Sequence, residues 1–357
     1  MKERLNKIRS AMSERGLDAA LIVDEMNAYY FSGLQFSDGC LFICHDAAYL
    51  ITDFRYVEVA EREADSAFTV SAPKSHRDYI SEIILKHGIR TVGIEGGAMP
   101  YRDYNSFVES HPGVLLYDLG SIIDELRSIK SDLEIEYIKK AQSITDKAFS
   151  HLLSVIRTDM TEIEVAAELE YTMRRIGADG PAFETIAVSG DASSMPHGVP
   201  RNIKLKRGFL TLDYGARYKG YCSDMTRTLC VGRASKEEVT LYNTVLSAQR
   251  AALDFLRAGA DAAEADSKAR TIIDSYDAFR GTFGHSLGHS VGLYVHESPS
   301  LSPRATGKLL EQGNVVTVEP GIYLKGKYGC RIEDMVKIEA NGIYNFTNSP
   351  KELVEIL

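Results

Sequence analysis

Over the first 125 or so residues the apolar positions switch between two periods. Residues 2–15 carry them at helical spacing. Ala19–Val23 (AALIV), Cys40–Cys44 (CLFIC), Ala48–Thr52 (AYLIT) and Thr91–Ile94 (TVGI) are instead short apolar runs of strand length. Helical patterns lie near 55–64, 76–87 and 102–110. Such alternation predicts a layered α/β domain.

The pattern changes near residue 130. Ser131-Asp132-Leu133-Glu134 has the capping-box form, Ser at the N-cap and Glu three residues on, and predicts a helix of about 25 residues. Thr161-Glu162-Ile163-Glu164 and Ser235-Lys236-Glu237-Glu238 repeat the form before two more long periodic segments, the last ending near Gly259. Strand-like runs follow at Phe209–Asp213, Cys222–Cys230, Val315–Glu319 and Met335–Ile338. Two domains are therefore expected: residues 1–128, α/β, and residues 129–357, α+β with long helices and a largely antiparallel sheet.

Composition removes several function classes. Acidic residues outnumber basic ones 50 to 41, a net charge of −9, and no Lys/Arg block exists. Nucleic acid and anionic membrane are thus poor partners. The N-terminal segment has no apolar core of a signal peptide, and no run approaches a membrane span. The five cysteines are odd in number and lack a C-x-x-C pair, which fits reduced thiols in a cytoplasmic protein and argues against a zinc–thiolate cluster.

The candidate chemistry begins in LTLDYGARYKGYCSDMTRTLC, Leu210 to Cys230. A hairpin centred between Tyr218 and Lys219 would set Asp213 directly opposite Asp224, with Cβ atoms about 4.5–5.5 Å apart. Two bare carboxylates there repel, and a bound cation removes the repulsion. Thr226 shares that face and could hydrogen-bond a ligand oxygen. Downstream, Glu319 ends the strand run of VVTVEPGIY, and Glu333 alternates into the apolar run of CRIEDMVKI. Four carboxylates on β segments of one domain would balance two divalent ions.

The stretch GHSLGHSVGLYVHE, Gly284 to Glu297, holds His285, His289 and His296, and its first five letters also spell a nucleophile elbow. That elbow needs a preceding apolar strand and an acid then a histidine after the serine. AFRGTFGHS is no such strand, and no Asp lies between Ser286 and His296, the last histidine. A Ser286 nucleophile is therefore excluded. Gly284, Gly288 and Gly292 are read as letting the backbone pass close to metal and substrate.

The ordered set D-x10-D, GHSVGLYVHE, VEPGIY and RIED resembles the dinuclear metallopeptidases of the pita-bread fold, which include aminopeptidase P, prolidase, methionine aminopeptidase and the metal-free creatinase. NAYYFSG and ITDFRY resemble the smaller, creatinase-type N-terminal domain, ribonuclease H-like in fold, of the first two and of creatinase. The resemblance implies five metal ligands. Asp213 would bind one ion, His289 and Glu319 the other, and Asp224 and Glu333 would bridge both. It implies that His296 and His197, the latter in Met195-Pro196-His197-Gly198, face the substrate and donate to the carbonyl as an oxyanion hole does. His285 lies near the cleft or is structural. Arg331 would pair with a carboxylate and keep it ionised.

Metal-assisted peptide hydrolysis follows as the implied activity, with Glu319 moving the proton between water and the leaving nitrogen. One imidazole, four carboxylates and no thiolate point to two Mn2+ ions, with Co2+ or Zn2+ as alternatives. The implied substrate is a peptide with proline in second position, and the implied assembly is a homodimer. Many prolidases resemble H-E-x-P-R after the last histidine. Here Ser300 stands in place of that Arg, with Arg304 the nearest substitute. This tilts the expectation towards an Xaa-Pro aminopeptidase over an Xaa-Pro dipeptidase. A catalytically silent peptide- or partner-binding member is the non-enzyme alternative.

Overall fold

The computed structural model describes all 357 residues, and its contacts divide the chain into Met1–Arg127 and Ser128–Leu357. The first unit is a six-stranded mixed sheet. In spatial order its strands are Thr69–Ser71, Ala48–Thr52, Gly39–Cys44, Ala19–Ile22, Thr91–Ile94 and Leu115–Asp118. The two central pairings around Gly39–Cys44 are antiparallel, and the other three are parallel. The helix at His76–His87 buries Ile80, Ile83 and Ile84, as its spacing predicts, and ends on Gly88 in a left-handed cap. Four elements escaped the pattern: helices Glu25–Ser32 and Ile122–Ser128 and the edge strands Thr69–Ser71 and Leu115–Asp118. Glu25–Ser32 buries Ala28, Tyr30 and Phe31 consecutively enough to blur any stripe, and its one clear signal is Asp24 capping the Asn27 amide.

The second unit holds two larger sheets and two small ones, the latter of three and two strands. Of the larger two, one orders Glu355–Ile356, Met225–Val231, Gly208–Tyr214 and Ile186–Ser189; the other orders Glu297–Leu301, Gly288–Ser290, Val315–Val318, Asp334–Glu339 and Gly342–Asn345. All their pairings are antiparallel except Glu355–Ile356 on Met225–Val231. All three capping boxes form, at Ser131, Thr161 and Ser235. Helices Asp132–Val155 and Glu162–Arg175 pack on Leu210, Leu212 and Met225. Helices Lys236–Phe255 and Ala262–Asp274 pack on Val316, Val318, Val336 and Ile338. Alternation along the strands sets Asp213 and Thr226 on the face opposite Leu212 and Met225.

The hairpin register differs from the expected one by two residues. Asp213 pairs with Thr226, not Asp224, and the ladder continues through Tyr218 opposite Tyr221. The turn residues are Lys219 and Gly220, both left-handed at φ 50° and 77°. That pair of positive φ values matches the twist of two-residue hairpins. The expected continuous strand Cys222–Cys230 is broken at Ser223 and Asp224. Here a Cβ at Gly215 would collide with the Ser223 carbonyl. The Ser223 hydroxyl instead accepts the Ala216 amide at 2.9 Å and meets Thr145 Oγ1 at 2.7 Å. Glu333 likewise sits just before the Asp334–Glu339 strand rather than inside it.

Candidate metal centre

A cleft of about 1100 Å³ is lined by Asp213, Asp224, His289, Glu319, Glu333, Arg331, His197, His285, His296 and Ser300. These residues come from six separate places along the second unit. Asp224, His289 and Glu333 offer ligand atoms that all lie within 4.8 Å of one another. His289 Nε2 is 3.3 Å from Glu319 Oε1 and 3.6 Å from Asp224 Oδ2. Asp213 is turned to Arg331, whose Nη2 donates to Oδ2 at 2.5 Å. Its other oxygen, Oδ1, is buried with no hydrogen-bond partner.

The charges do not close. Four carboxyls, Asp224 and Glu333 buried and Asp213 and Glu319 half-buried, face one guanidinium and one imidazole. Burial pushes the Asp224 carboxyl far above its ordinary range, and Asp213 adds to the rise. Glu333 is pushed up likewise, by burial and then by Asp224 and Glu319. Asp213 also stays raised by burial, so Arg331 pairs with it without restoring its ordinary acidity. The pairing expected of Arg331 is present, and its charge and hydrogen bond pull the Asp213 value down against that burial. Glu319 behaves differently. Burial raises it, but the hydrogen bond and charge of His289 more than offset this and hold it at about 2. His289 is raised to about 9, burial being outweighed by Glu319 and Asp224. An orphaned carboxylate oxygen amid surplus acceptors fits a divalent cation of hard to borderline character.

Neighbouring side chains fix the carboxylates. Thr226 Oγ1 donates to Glu333 Oε2 at 2.7 Å and accepts Arg331 Nε at 3.0 Å, so its partner is the carboxylate rather than a ligand oxygen. Thr317 Oγ1 donates to Glu319 Oε1 at 3.2 Å. Tyr323, which sequence reasoning missed, accepts Arg331 Nη1 at 2.6 Å and meets His285 Nε2 at 3.1 Å. His285 is thus held inside the cleft wall. His197 and His296 are exposed to the cleft, and the His296 ring stands 4.3 Å from that of His289. Burial, with the charge of His289, lowers the His296 pKa.

Other expectations resolve simply. Gly288 is needed because a Cβ would strike the Thr317 carbonyl, and Gly292 because one would strike the Glu297 carboxylate. Gly284 has open space. The close approaches are to the neighbouring strand and to Glu297, and Gly288 also lines the cleft. Arg304 is exposed and does not line the cleft. His45, His76, His87, His111 and His151 make local hydrogen bonds elsewhere. None of the five cysteines forms a disulfide, and all are buried. No helix is long and apolar enough to cross a membrane.

Two helix-backed sheets enclosing an acidic cleft with one imidazole among the carboxylates define the class: a metal-dependent hydrolase. The chain belongs to metallopeptidase family M24, which it matches over residues 136–340, and residues 4–129 match the creatinase/prolidase N-terminal domain. The chain is therefore a peptidase, built as a creatinase-type N-terminal domain followed by a pita-bread domain. It is 40% identical to the Xaa-Pro dipeptidase of Pyrococcus furiosus, covering 99% of this chain and 100% of the relative. Among solved structures it is similar to the Xaa-Pro dipeptidase from Bacillus anthracis, at TM-score 0.95 and 39% identity over 99% of each chain. It is also similar to an X-Pro aminopeptidase from Thermotoga maritima, at TM-score 0.90 and 37% identity over 96% of this chain and 99% of that one.

Proposed function

We propose that this protein is a metal-dependent Xaa-Pro dipeptidase. The observation that carries the reading is the convergence of Asp213, Asp224, His289, Glu319 and Glu333 on one cleft, in a chain matching Xaa-Pro dipeptidases over nearly its full length. Those names reverse the sequence-based tilt towards an aminopeptidase. The five side chains would hold two divalent ions, Mn2+ first, with Co2+ or Zn2+ as alternatives. Such ions supply a Lewis acid and a water of lowered pKa.

The protein's own groups do the rest. Glu319 is ionised at neutral pH, and its Oε1 is already committed to His289 and Thr317. Oε2 is the atom that takes the proton of the attacking water and passes it to the leaving nitrogen. His197 and His296 donate to the carbonyl oxygen as its charge grows. Proline's nitrogen is a tertiary amide without an N–H, so a wall of Ile163, Phe183, Val199 and Pro200 can enclose the ring without owing it an acceptor.

The aminopeptidase reading keeps one observation in its favour. Arg331 is the one arginine or lysine lining the cleft, and it is engaged with Asp213, so no second guanidinium awaits a dipeptide's C-terminal carboxylate. Hydrolysis of Ala-Pro and Ala-Pro-Ala, after metal stripping and reloading with Mn2+, Co2+ or Zn2+, decides. Cleavage of Ala-Pro alone supports the dipeptidase, and equal cleavage of both supports the aminopeptidase. No turnover with any ion supports the silent binding protein.

A further inference from the structure

One buried ion pair has no part in the chemistry above. Lys130 directly precedes Ser131, the N-cap of the Asp132–Val155 helix, and its amide donates to Gly313 O at 3.1 Å. Its side chain is 1% exposed, and that of Glu297 is 7%. Lys130 Nζ donates to Glu297 Oε2 at 3.2 Å and to Ser290 Oγ at 3.0 Å. Ser290 and Glu297 face each other where the register of their ladder shifts. Ser290 follows His289, and Glu297 follows His296. Between them the chain folds back over the carboxylate. Tyr294 N donates to Glu297 Oε1 at 3.0 Å, and a Cβ at Gly292 would stand 2.5 Å from Oε2. One ammonium thus ties both ends of the segment 291–296, whose last residue places its ring 4.3 Å from His289.

Desolvating a lysine and a glutamate is costly, and an apolar pair of similar volume often serves stability as well or better. Registry is the best-attested use of such a pair. We infer that Lys130, with Glu297 and Ser290, is a positioning residue that holds His296 at a fixed distance from His289. The consequence for turnover rests on the peptidase reading above; the consequence for ring geometry does not.

The test is a cycle of Lys130→Met, Glu297→Leu and the double variant. Each single change removes one half of a buried ion pair, so both lower Tm, while the double variant regains most of it. In the double variant kcat on Ala-Pro stays about ten- to a hundredfold below wild type, with KM and bound Mn2+ within about twofold. In metal-free protein with labelled histidines, the NOE between the His289 and His296 rings weakens. Recovery of kcat together with Tm, or a wild-type NOE, overturns the proposal. If the double variant does not fold, Ser290→Ala decides. It removes one Lys130 bond, keeps the charge pair, and should weaken the NOE with little change in Tm; an unchanged NOE overturns the proposal. A wild-type protein without turnover would sink the peptidase reading and leave the NOE comparison intact.

Discussion

Glu333 and Asp334 are consecutive, and both are buried, at 1% and 0% exposure, yet they point into opposite surroundings. Asp334 Oδ1 accepts Arg227 Nη2 at 2.9 Å, and Oδ2 accepts Lys351 Nζ at 2.6 Å and Asn345 Nδ2 at 2.8 Å. Burial raises its pKa, but Arg227 and Lys351 outweigh it and hold the carboxyl below its ordinary range. Glu333, on the other face, meets three more carboxyls, and burial and those charges drive it far upward. The fold supplies the cations for one residue within its own chain and withholds them from the next. A buried carboxylate already matched by covalently attached cations is structural. One left in surplus marks where an ion from solution belongs.

The largest effect should come from the unmatched side. Asp224→Asn should cut kcat/KM on Xaa-Pro peptides on the order of a thousandfold or more, because several kcal/mol of charge stabilisation are at stake. It should leave the metal-free protein folded with Tm unchanged or higher, since a like charge has gone; a large drop in that Tm would break the contrast. On the matched side, Asp334→Leu should destabilise by about 3–5 kcal/mol in urea titration, because Arg227 and Lys351 lose their partner inside the fold. Activity per folded molecule in Mn2+ should fall far less than in Asp224→Asn.

Acidity should separate the two sides next. Asp224 and Glu333 have raised native pKa values, so in metal-free protein their stabilising contribution is full below the usual carboxylate range of about 4 and is lost as pH rises through their native values. Asp334 and Glu162 have depressed values, so theirs is present above that range and lost in acid. Scanning calorimetry on stripped protein should therefore show Tm falling from mildly acidic to neutral pH. Mn2+ at about a hundred times its neutral-pH Kd should oppose that slope, adding roughly 2.7 kcal/mol at neutral pH and less in acid, where the carboxyls are protonated. A slope indifferent to Mn2+ would say that the surplus charge is not where ions bind. The smallest effect is expected of Arg304→Ala. An exposed side chain outside the cleft should change stability by less than about 0.5 kcal/mol and leave KM for Ala-Pro unaltered. A rise in KM would make Arg304 the carboxylate anchor after all.

What could be read from the sequence was local. Capping boxes at Ser131, Thr161 and Ser235 formed because an N-cap and its partner lie three residues apart, and His76–His87 kept its predicted ends for the same reason. The five carboxylate and imidazole positions of the cleft were visible as a family pattern, but their mutual geometry was not. Register hinged on Lys219 adopting a positive φ, which no propensity favours. Lys130 and Tyr323 gave no signal, since burial of a lone lysine or tyrosine is decided by chain segments far away in sequence. Arg227 did carry a hint: it is the one charge in the fully buried strand MTRTLCV, and such a charge demands partners.

Thr226 has a consequence of its own. Arginine can only give protons, so the Thr226 hydroxyl receives from Arg331 Nε and has its single hydrogen available for Glu333 Oε2, to which it donates. With Glu333 ionised by a bound cation, that small chain runs in one direction. Glu333 therefore does not swivel in search of a partner, and an arriving ion finds its oxygens already aimed, the rotational entropy having been surrendered during folding rather than at capture.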